Sequence, residues 1–242
     1  MRYAAHYPEG RAAATSSHPR HVNTPAARRV AGPADAMTAA DLLHRSAAVL
    51  SDLDGTLLDS SASVHRTWGR FAQRHGLDPG AVVEFVYGRP VREAIPVLVP
   101  GADHDAELAA IEAAELTDTA GVHALPGAGA LLGSGRPMAI VTSCSLALAT
   151  ARLRAAGLSA PAVVVSADGL ERGKPDPACF LIAADRLGVD PRRCVVLEDA
   201  PAGIAAARAA GAPVIALRTT RPDDALEGAD YIVDTIADLL GS

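Results

Sequence analysis

Short apolar runs alternate with helical patterns along most of the chain, and this alternation constrains the fold more than any other feature. Four runs have the length of buried strands, and two further short runs follow them, at residues 47–50, 137–142, 162–166, 194–197, 213–217 and 231–233. The segments between them, such as 146–156 and 202–210, have helical spacing. Because strands joined by helices pair in parallel, the sequence predicts an α/β fold with a doubly wound parallel sheet.

Between the first and second runs the sequence changes character. Residues 61–125 have no strong strand pattern, and Val64, Trp68 and Phe71 recur at helical spacing. We therefore predict a helical insert over 61–125, within an α/β core made of residues 41–60 and 126–242.

Residues 1–40 are rich in Pro and Arg and have neither a helical nor a strand period. Such a composition cannot bury a core, so we expect a disordered amino-terminal extension. Met37 is a candidate for the true start of translation.

Composition argues against several classes of partner. The formal net charge of −6 gives no reason to expect a nucleic acid or an anionic membrane. The sequence contains no apolar run of membrane-spanning length and no secretory signal pattern. Its three cysteines, Cys144, Cys179 and Cys194, form no CxxC pair, which indicates ordinary buried residues in a reducing compartment. We expect a cytoplasmic protein, either a monomer or a homodimer.

Polar groups follow the first four predicted strands. They are the acids of the first strand, two hydroxyls after the second, one amine in the loop after the third and two acids after the fourth: Asp52, Asp54, Thr142, Ser143, Lys174, Glu198 and Asp199. In a parallel sheet the carboxyl ends of the strands share one edge, so these groups should meet in one crevice. If the first strand continues to Asp54, the carboxylates of Asp52 and Asp54 face the same side, where a cation must relieve their repulsion.

Each of these residues taken alone has a plainer interpretation. Thr142 is equally suited to cap the next helix, Lys174 to lie in a solvated loop, and Glu198 with Asp199 to form a turn before Pro201. Their joint occurrence at successive strand ends favours a phosphate and metal site.

Residues 52–59 read DLDGTLLD, a DxDGTxxD pattern that resembles the signature of the haloacid dehalogenase-like superfamily. The order of the later groups is similar to the family's other motifs, so the resemblance covers about residues 47–235. It implies a Rossmann-like core with a helical cap, Asp52 as nucleophile and Asp54 as general acid and base. It also implies that Thr142, Ser143 and Lys174 bind phosphate. Mg²⁺ would be held by Asp52, Asp54 through its backbone carbonyl, and Asp199, with Glu198 beside them.

Within the superfamily the motifs look closest to the sugar and polyol phosphatases, such as the 2-deoxyglucose-6-phosphatase, glycerol-3-phosphatase and hexitol phosphatase types. The resemblance implies a Mg²⁺-dependent phosphatase that hydrolyses a small sugar or polyol phosphate through an aspartyl phosphate. The segment Gly88-Arg89-Pro90 resembles the substrate-facing loop of the cap, and the insert has few aromatic residues to stack on a nucleobase.

Two alternatives stay open at this point. A mutase similar to β-phosphoglucomutase shares the core motifs, but the linker histidine expected at position 64 is Val64, with His65 next to it. A catalytically inert regulatory protein on the same fold would require a lost catalytic group, and none of the motif residues is lost.

Overall fold

The computed structural model describes residues 28–29, 37–86, 89 and 91–241, and in these residues seven strands form the main sheet. In chain order the strands are β1 (Arg28–Arg29), β2 (Ala48–Ser51), β5 (Met138–Val141), β6 (Val163–Val165), β7 (Cys194–Glu198), β8 (Val214–Leu217) and β9 (Tyr231–Val233). Their spatial order is β1-β9-β8-β7-β2-β5-β6, and every pair except β1 with β9 is parallel. The predicted Rossmann-like α/β fold is confirmed.

Strand β2 lies at the centre of the sheet, between β7 and β5. All four of its residues are buried, which explains why the run is apolar rather than alternating. The chain adds β5 and β6 on one side of β2, and β7, β8 and β9 on the other. Such a reversal of strand order opens a crevice at the carboxyl end of the central strand, where Asp52 follows.

Helices cover both faces of the sheet, and each face has its own apolar cluster. The helices outside the insert are α1 (Ala39–Arg45), α6 (Ala128–Leu132), α7 (Leu146–Ala155), α8 (Ala178–Arg186), α9 (Pro201–Ala209) and α10 (Ala237–Leu240). An acid and a proline precede helix α8. Asp176 Oδ1 accepts a hydrogen bond from the backbone N–H of Ala178, while Pro177 occupies the N-cap position.

The described residues of the insert form four helices, α2 (Ser61–His75), α3 (Pro79–Val86), α4 (Val91–Leu98) and α5 (His104–Thr117). They bury a separate apolar cluster that includes Trp68 and Phe71. Helix α2 ends at Gly76, whose left-handed φ of 66° suits glycine. The segments entering and leaving the insert pair as two short antiparallel strands, β3 (Leu58–Asp59) and β4 (His123–Ala124). We call α2–α5 the cap.

The amino-terminal boundary differs from the prediction. Helix α1 begins at Ala39, after a capping box in which the side chains of Thr38 and Asp41 each accept a hydrogen bond from the other's backbone N–H. Residues 28–29 pair with β9, within the segment 1–40 that the sequence predicts to be an extension. The remainder of residues 1–36 lies outside the described residues. None of the described helices is long and apolar enough to cross a membrane.

Candidate active site

The two aspartates of the first motif reach the crevice from a turn rather than from a strand. Strand β2 ends at Ser51 and does not continue to Asp54, so the period-two condition for the facing of the two carboxylates is not met. Gly55 then adopts a positive φ of 85°, and a Cβ there would lie 2.2 Å from the Oδ2 atom of Asp199. The turn thus needs glycine for its conformation and for its close approach, and Asp52 and Asp54 still line one cavity between the core and the cap.

Lys174 connects two of the predicted acids. Its Nζ atom lies 2.6 Å from Asp52 Oδ1 and 2.6 Å from Glu198 Oε1, and donates a third hydrogen bond to the backbone carbonyl of Val141 at 3.0 Å. Burial alone would lower the pKa of Lys174, but the charges of Asp52 and Glu198 outweigh it and raise that pKa. The ammonium group therefore stays charged, although only 4% of its side chain is exposed.

Glu198 is bound by protein groups at both of its carboxylate oxygens. Oε1 contacts Lys174, and Oε2 accepts hydrogen bonds from the backbone N–H groups of Asp199 (2.9 Å) and Ala200 (3.0 Å). Gly203 in the first turn of α9 leaves room for it, because a Cβ at that position would lie 1.7 Å from Glu198 Oε1. Glu198 is accordingly a fixed anion beside the cavity.

Asp199 is oriented by two hydroxyls from other segments. Thr220 donates a short hydrogen bond to Oδ2, and Thr56 donates one to Oδ1 at 3.4 Å. Burial and the charge of Glu198 raise the pKa of Asp199 to about 7. Burial likewise raises the pKa of Asp52 well above its usual range, against the opposing charge of Lys174.

The hydroxyls predicted to bind phosphate, Thr142 and Ser143, both line the same cavity. Thr142 follows β5 and is buried, and its Oγ1 accepts a hydrogen bond from the backbone N–H of Cys144 at 3.2 Å. Thr142 does not cap the next helix, because the N-cap of α7 is Ser145, whose Oγ accepts a hydrogen bond from the backbone N–H of Leu148. The hydrogen bond from Cys144 leaves the hydroxyl proton of Thr142 in reach of the cavity or of the Cys144 sulfur, 3.2 Å away.

The charges around the cavity fit a divalent cation. Among the described residues that line it, five are acids and three are basic residues, which gives a formal charge of −2: Asp52, Asp54, Glu115, Glu198 and Asp199 against Arg89, Arg152 and Lys174. Oxygens of three of these acids, Asp52, Glu198 and Asp199, lie within 4.8 Å of one another and are buried. Buried carboxylates are the ligands that Mg²⁺ prefers, and a cation among them would offset the cost of their burial.

The cap contributes a mostly apolar wall. The apolar cap residues that line the cavity are Val64, Trp68, Val86 and Val91. Arg89 lines it as well, and its guanidinium lies 4.5 Å from the centre of the Phe85 ring. The predicted partner of Arg89, Gly88, lies outside the described residues. His65 lines a different cavity, together with Asp59 and Arg221.

The sequence analysis missed Arg152 and Glu115, which lie at the same cavity. Arg152 in α7 forms ion pairs with Asp54 and with Glu115 of cap helix α5. Burial alone would lower the pKa of Arg152, but these two carboxylates outweigh it and raise that pKa. Nothing in the sequence separates Arg152 from the exposed Arg154 two residues later, so only the packing of α7 against α5 could reveal it.

A family model, two phosphatases and a solved structure are similar to this chain. The family model of haloacid dehalogenase-like hydrolases matches residues 47–211. Hexitol phosphatase A from Escherichia coli (strain K12) is 44% identical over 194 residues, which cover 77% of this chain and 90% of that protein. Validoxylamine A 7'-phosphate phosphatase from Streptomyces hygroscopicus subsp. limoneus is 36% identical over 206 residues, 78% of this chain and 94% of that protein. The crystal structure of CbbY from Rhodobacter sphaeroides in complex with phosphate matches with a TM-score of 0.72 and 25% identity, over 81% of this chain and 97% of that one.

Proposed function

The chain belongs to the haloacid dehalogenase-like hydrolase family and is a phosphoric monoester hydrolase, and on that premise we propose that it hydrolyses a small sugar or polyol phosphate. The observation that carries the proposal is the buried group of Asp52, Lys174, Glu198 and Asp199 at the carboxyl end of the central strands. The substrate class is supported by the similarity to a hexitol phosphatase and a validoxylamine phosphate phosphatase.

In the proposed reaction Asp52 attacks phosphorus and forms an aspartyl phosphate while the bond to the leaving oxygen breaks. Asp54 gives its proton to that oxygen. A water molecule then attacks the aspartyl phosphate, Asp54 takes a proton from it, and inorganic phosphate is released with Asp52 restored. The two carboxylates lie at one cavity, as this division of work requires.

The phosphoryl group would be bound by Lys174, Thr142 and Ser143. Lys174 already lies 2.6 Å from Asp52, so its charge also offsets the repulsion between that carboxylate and a phosphate dianion. Thr142 and Ser143 line the same cavity and offer hydroxyl donors.

Mg²⁺ would be held by the side chains of Asp52 and Asp199 and by the backbone carbonyl of Asp54. Glu198 would lie beside the ion, because Lys174 and two backbone N–H groups already bind the carboxylate oxygens of Glu198. The bound ion would supply neutralising charge for the phosphoryl oxygens. Thr220 and Thr56 then serve to orient Asp199.

We propose that the cap selects the leaving group, because the core groups contact only phosphate and metal. Its wall offers Arg89 and few aromatic rings, and the Trp68 side chain is 2% exposed within the apolar cluster of the cap. A small hydroxylated group suits this wall better than a nucleobase, which needs a stacking surface.

The mutase alternative has less support than hydrolysis. Val64 lines the proposed active site, whereas His65 faces the other cavity. No histidine among the described residues lines the active-site cavity to deprotonate a returning sugar hydroxyl.

A panel of hexose, hexitol, glycerol and nucleoside phosphates tests the proposal, with released phosphate measured in Mg²⁺ and in EDTA and with Asp52→Asn as the blank. We expect the best sugar or polyol phosphate to exceed nucleotides in kcat/KM by at least about tenfold, roughly 1.4 kcal/mol. Arg89→Ala should lower kcat/KM for that ester far more than for p-nitrophenyl phosphate. Equal rates on nucleotides and sugar phosphates would refute the substrate class.

A further inference from the structure

One residue holds the carboxylate of Asp54 in place, and it is not part of any motif in the sequence. Arg152 Nη1 lies 3.0 Å from Asp54 Oδ2, and Arg152 Nη2 lies 3.4 Å from Glu115 Oε1. The side chains of Arg152 and Glu115 are only 5% and 4% exposed. Removing a buried ion pair from water is costly, so an arrangement of this kind needs a structural or functional reason.

The two oxygens of Asp54 have different surroundings. Oδ2 is paired with Arg152, whereas Oδ1 is buried and has no hydrogen-bond partner. A carboxylate turns freely about its last bond unless a neighbour fixes it. With Oδ2 paired to Arg152, the orientation of the whole Asp54 carboxyl group is fixed at the cavity.

We propose that Arg152 is a positioning residue that holds the carboxyl group of Asp54 through Oδ2 in the orientation needed for proton transfer to the leaving group, and that Glu115 of the cap holds Arg152 for this task. The proposal rests on the proposed role of Asp54 as general acid and base. A guanidinium suits the task because its planar donors can contact two carboxylates at once, which the ammonium of a lysine does with less fixed geometry.

The two ion pairs of Arg152 also connect the cap to Asp54, the residue proposed to transfer protons. Helix α7, which carries Arg152, packs against cap helix α5, which carries Glu115. A closed cap therefore supplies the second anchor of Arg152. When Glu115 is absent, Arg152 keeps Asp54 as its only carboxylate partner among the described contacts, and the orientation of both side chains is less constrained.

The test compares esters whose leaving groups differ in their need for a proton. Arg152→Gln and Glu115→Gln are assayed with the best sugar or polyol phosphate, with propyl phosphate and with p-nitrophenyl phosphate. The parameter is kcat/KM, which excludes the later hydrolysis of the aspartyl phosphate. Because general acid catalysis contributes about 10²- to 10⁴-fold, we expect Arg152→Gln to lower kcat/KM for both alkyl esters by about 100-fold or more. For p-nitrophenyl phosphate the loss should be below about fivefold, since that leaving group needs little protonation.

Matched controls lie on the same helices. Arg154→Gln changes an exposed residue of α7, and Glu112→Gln changes a neighbouring acid of α5, and neither should alter the ratio between the esters. That ratio is measured on one preparation, so it does not depend on the folded fraction. If Arg152→Gln yields no folded protein, Glu115→Gln carries the test with the same expected direction.

A double-mutant cycle separates positioning from substrate binding. In an Asp54→Asn background, Arg152→Gln should change kcat/KM by less than about threefold, because the group that it positions is gone. An equal loss on all three esters, or an undiminished loss in the Asp54→Asn background, would overturn the inference. A wild-type protein inactive on every phosphate ester would instead refute the proposed function.

Discussion

Replacing Lys174 by methionine tests whether the acidic cluster is held by this one ammonium group. Lys174 is the only lysine in the chain, and 4% of its side chain is exposed. Methionine has a similar length but offers no charge and no donor. The variant would leave Asp52 and Glu198 buried without the cation that contacts both at 2.6 Å.

The expected loss follows from that contact. Removing one partner of a buried ion pair costs about 3–5 kcal/mol of unfolding free energy. For a chain of this size each kcal/mol lowers Tm by about 2–4 °C, so Tm should fall by roughly 6–20 °C. Thermal unfolding is best measured in EDTA, where no added cation offsets the carboxylates. Hydrolysis of the best phosphate ester should also fall by at least about a hundredfold, because the phosphoryl group loses a charged donor.

Two variants make the result specific. Arg172→Met changes an exposed cation two residues away and should alter stability by less than about 0.5 kcal/mol. Adding Glu198→Gln to Lys174→Met removes one uncompensated charge and should restore part of the lost Tm without restoring activity. A Tm drop below about 2 °C for Lys174→Met would show that the carboxylates do not depend on Lys174.

Three further predictions concern the surroundings of the same group. Asp52→Asn and Asp54→Asn should each reduce turnover by at least about a thousandfold at nearly unchanged Tm, and either variant keeping more than about a tenth of the rate would contradict its assigned role. Gly203→Ala should destabilise the protein by about 1–3 kcal/mol in denaturant unfolding, because the new Cβ would lie 1.7 Å from Glu198 Oε1. Gly69→Ala in α2, where a Cβ meets nothing within 4 Å, should instead stabilise it by about 0.5–1 kcal/mol, and equal effects at the two glycines would disprove the packing argument. Thr220→Val should weaken Mg²⁺ binding about tenfold or more, because Asp199 loses the hydroxyl that orients it. The binding is measured by the dependence of Tm on Mg²⁺ concentration, and an unchanged midpoint would show that Thr220 does not orient a metal ligand.

The strand ends were predictable because parallel pairing brings them to one edge whatever the details of packing. Asp52, Thr142 and Asp199 follow neighbouring strands and meet in one cavity, as the sequence predicts. Strand β2 ends at Ser51, and Asp52 and Asp54 follow it on a turn that Gly55 makes possible and that period-two reasoning cannot detect. The linker strands β3 and β4 have two residues each, which is too short for any periodic signal.

Charged residues inside helical patterns were the harder case. Arg152 and Arg154 lie in the same helix and differ only in the face that they occupy. An arginine in an Ala-rich helix is usually solvated, so sequence reasoning assigns both to the surface. Arg152 is buried because α7 meets the cap helix α5 at that point, and the contact spans 37 residues of sequence between Glu115 and Arg152.

The contacts between cap and core differ in strength according to their burial. Glu84 of the cap pairs with Arg221, but the Glu84 side chain is 69% exposed, and exposed pairs contribute about 0–1 kcal/mol. Arg92 donates to the core carbonyl of Ala167 at 3.0 Å from an exposed position. Breaking such contacts would cost little. The Glu115–Arg152 pair is buried, so separating these two residues would leave buried charges without a partner and would cost more. Because the same arginine holds Asp54, we expect the proton-transfer geometry to be complete only when the cap is closed over the substrate.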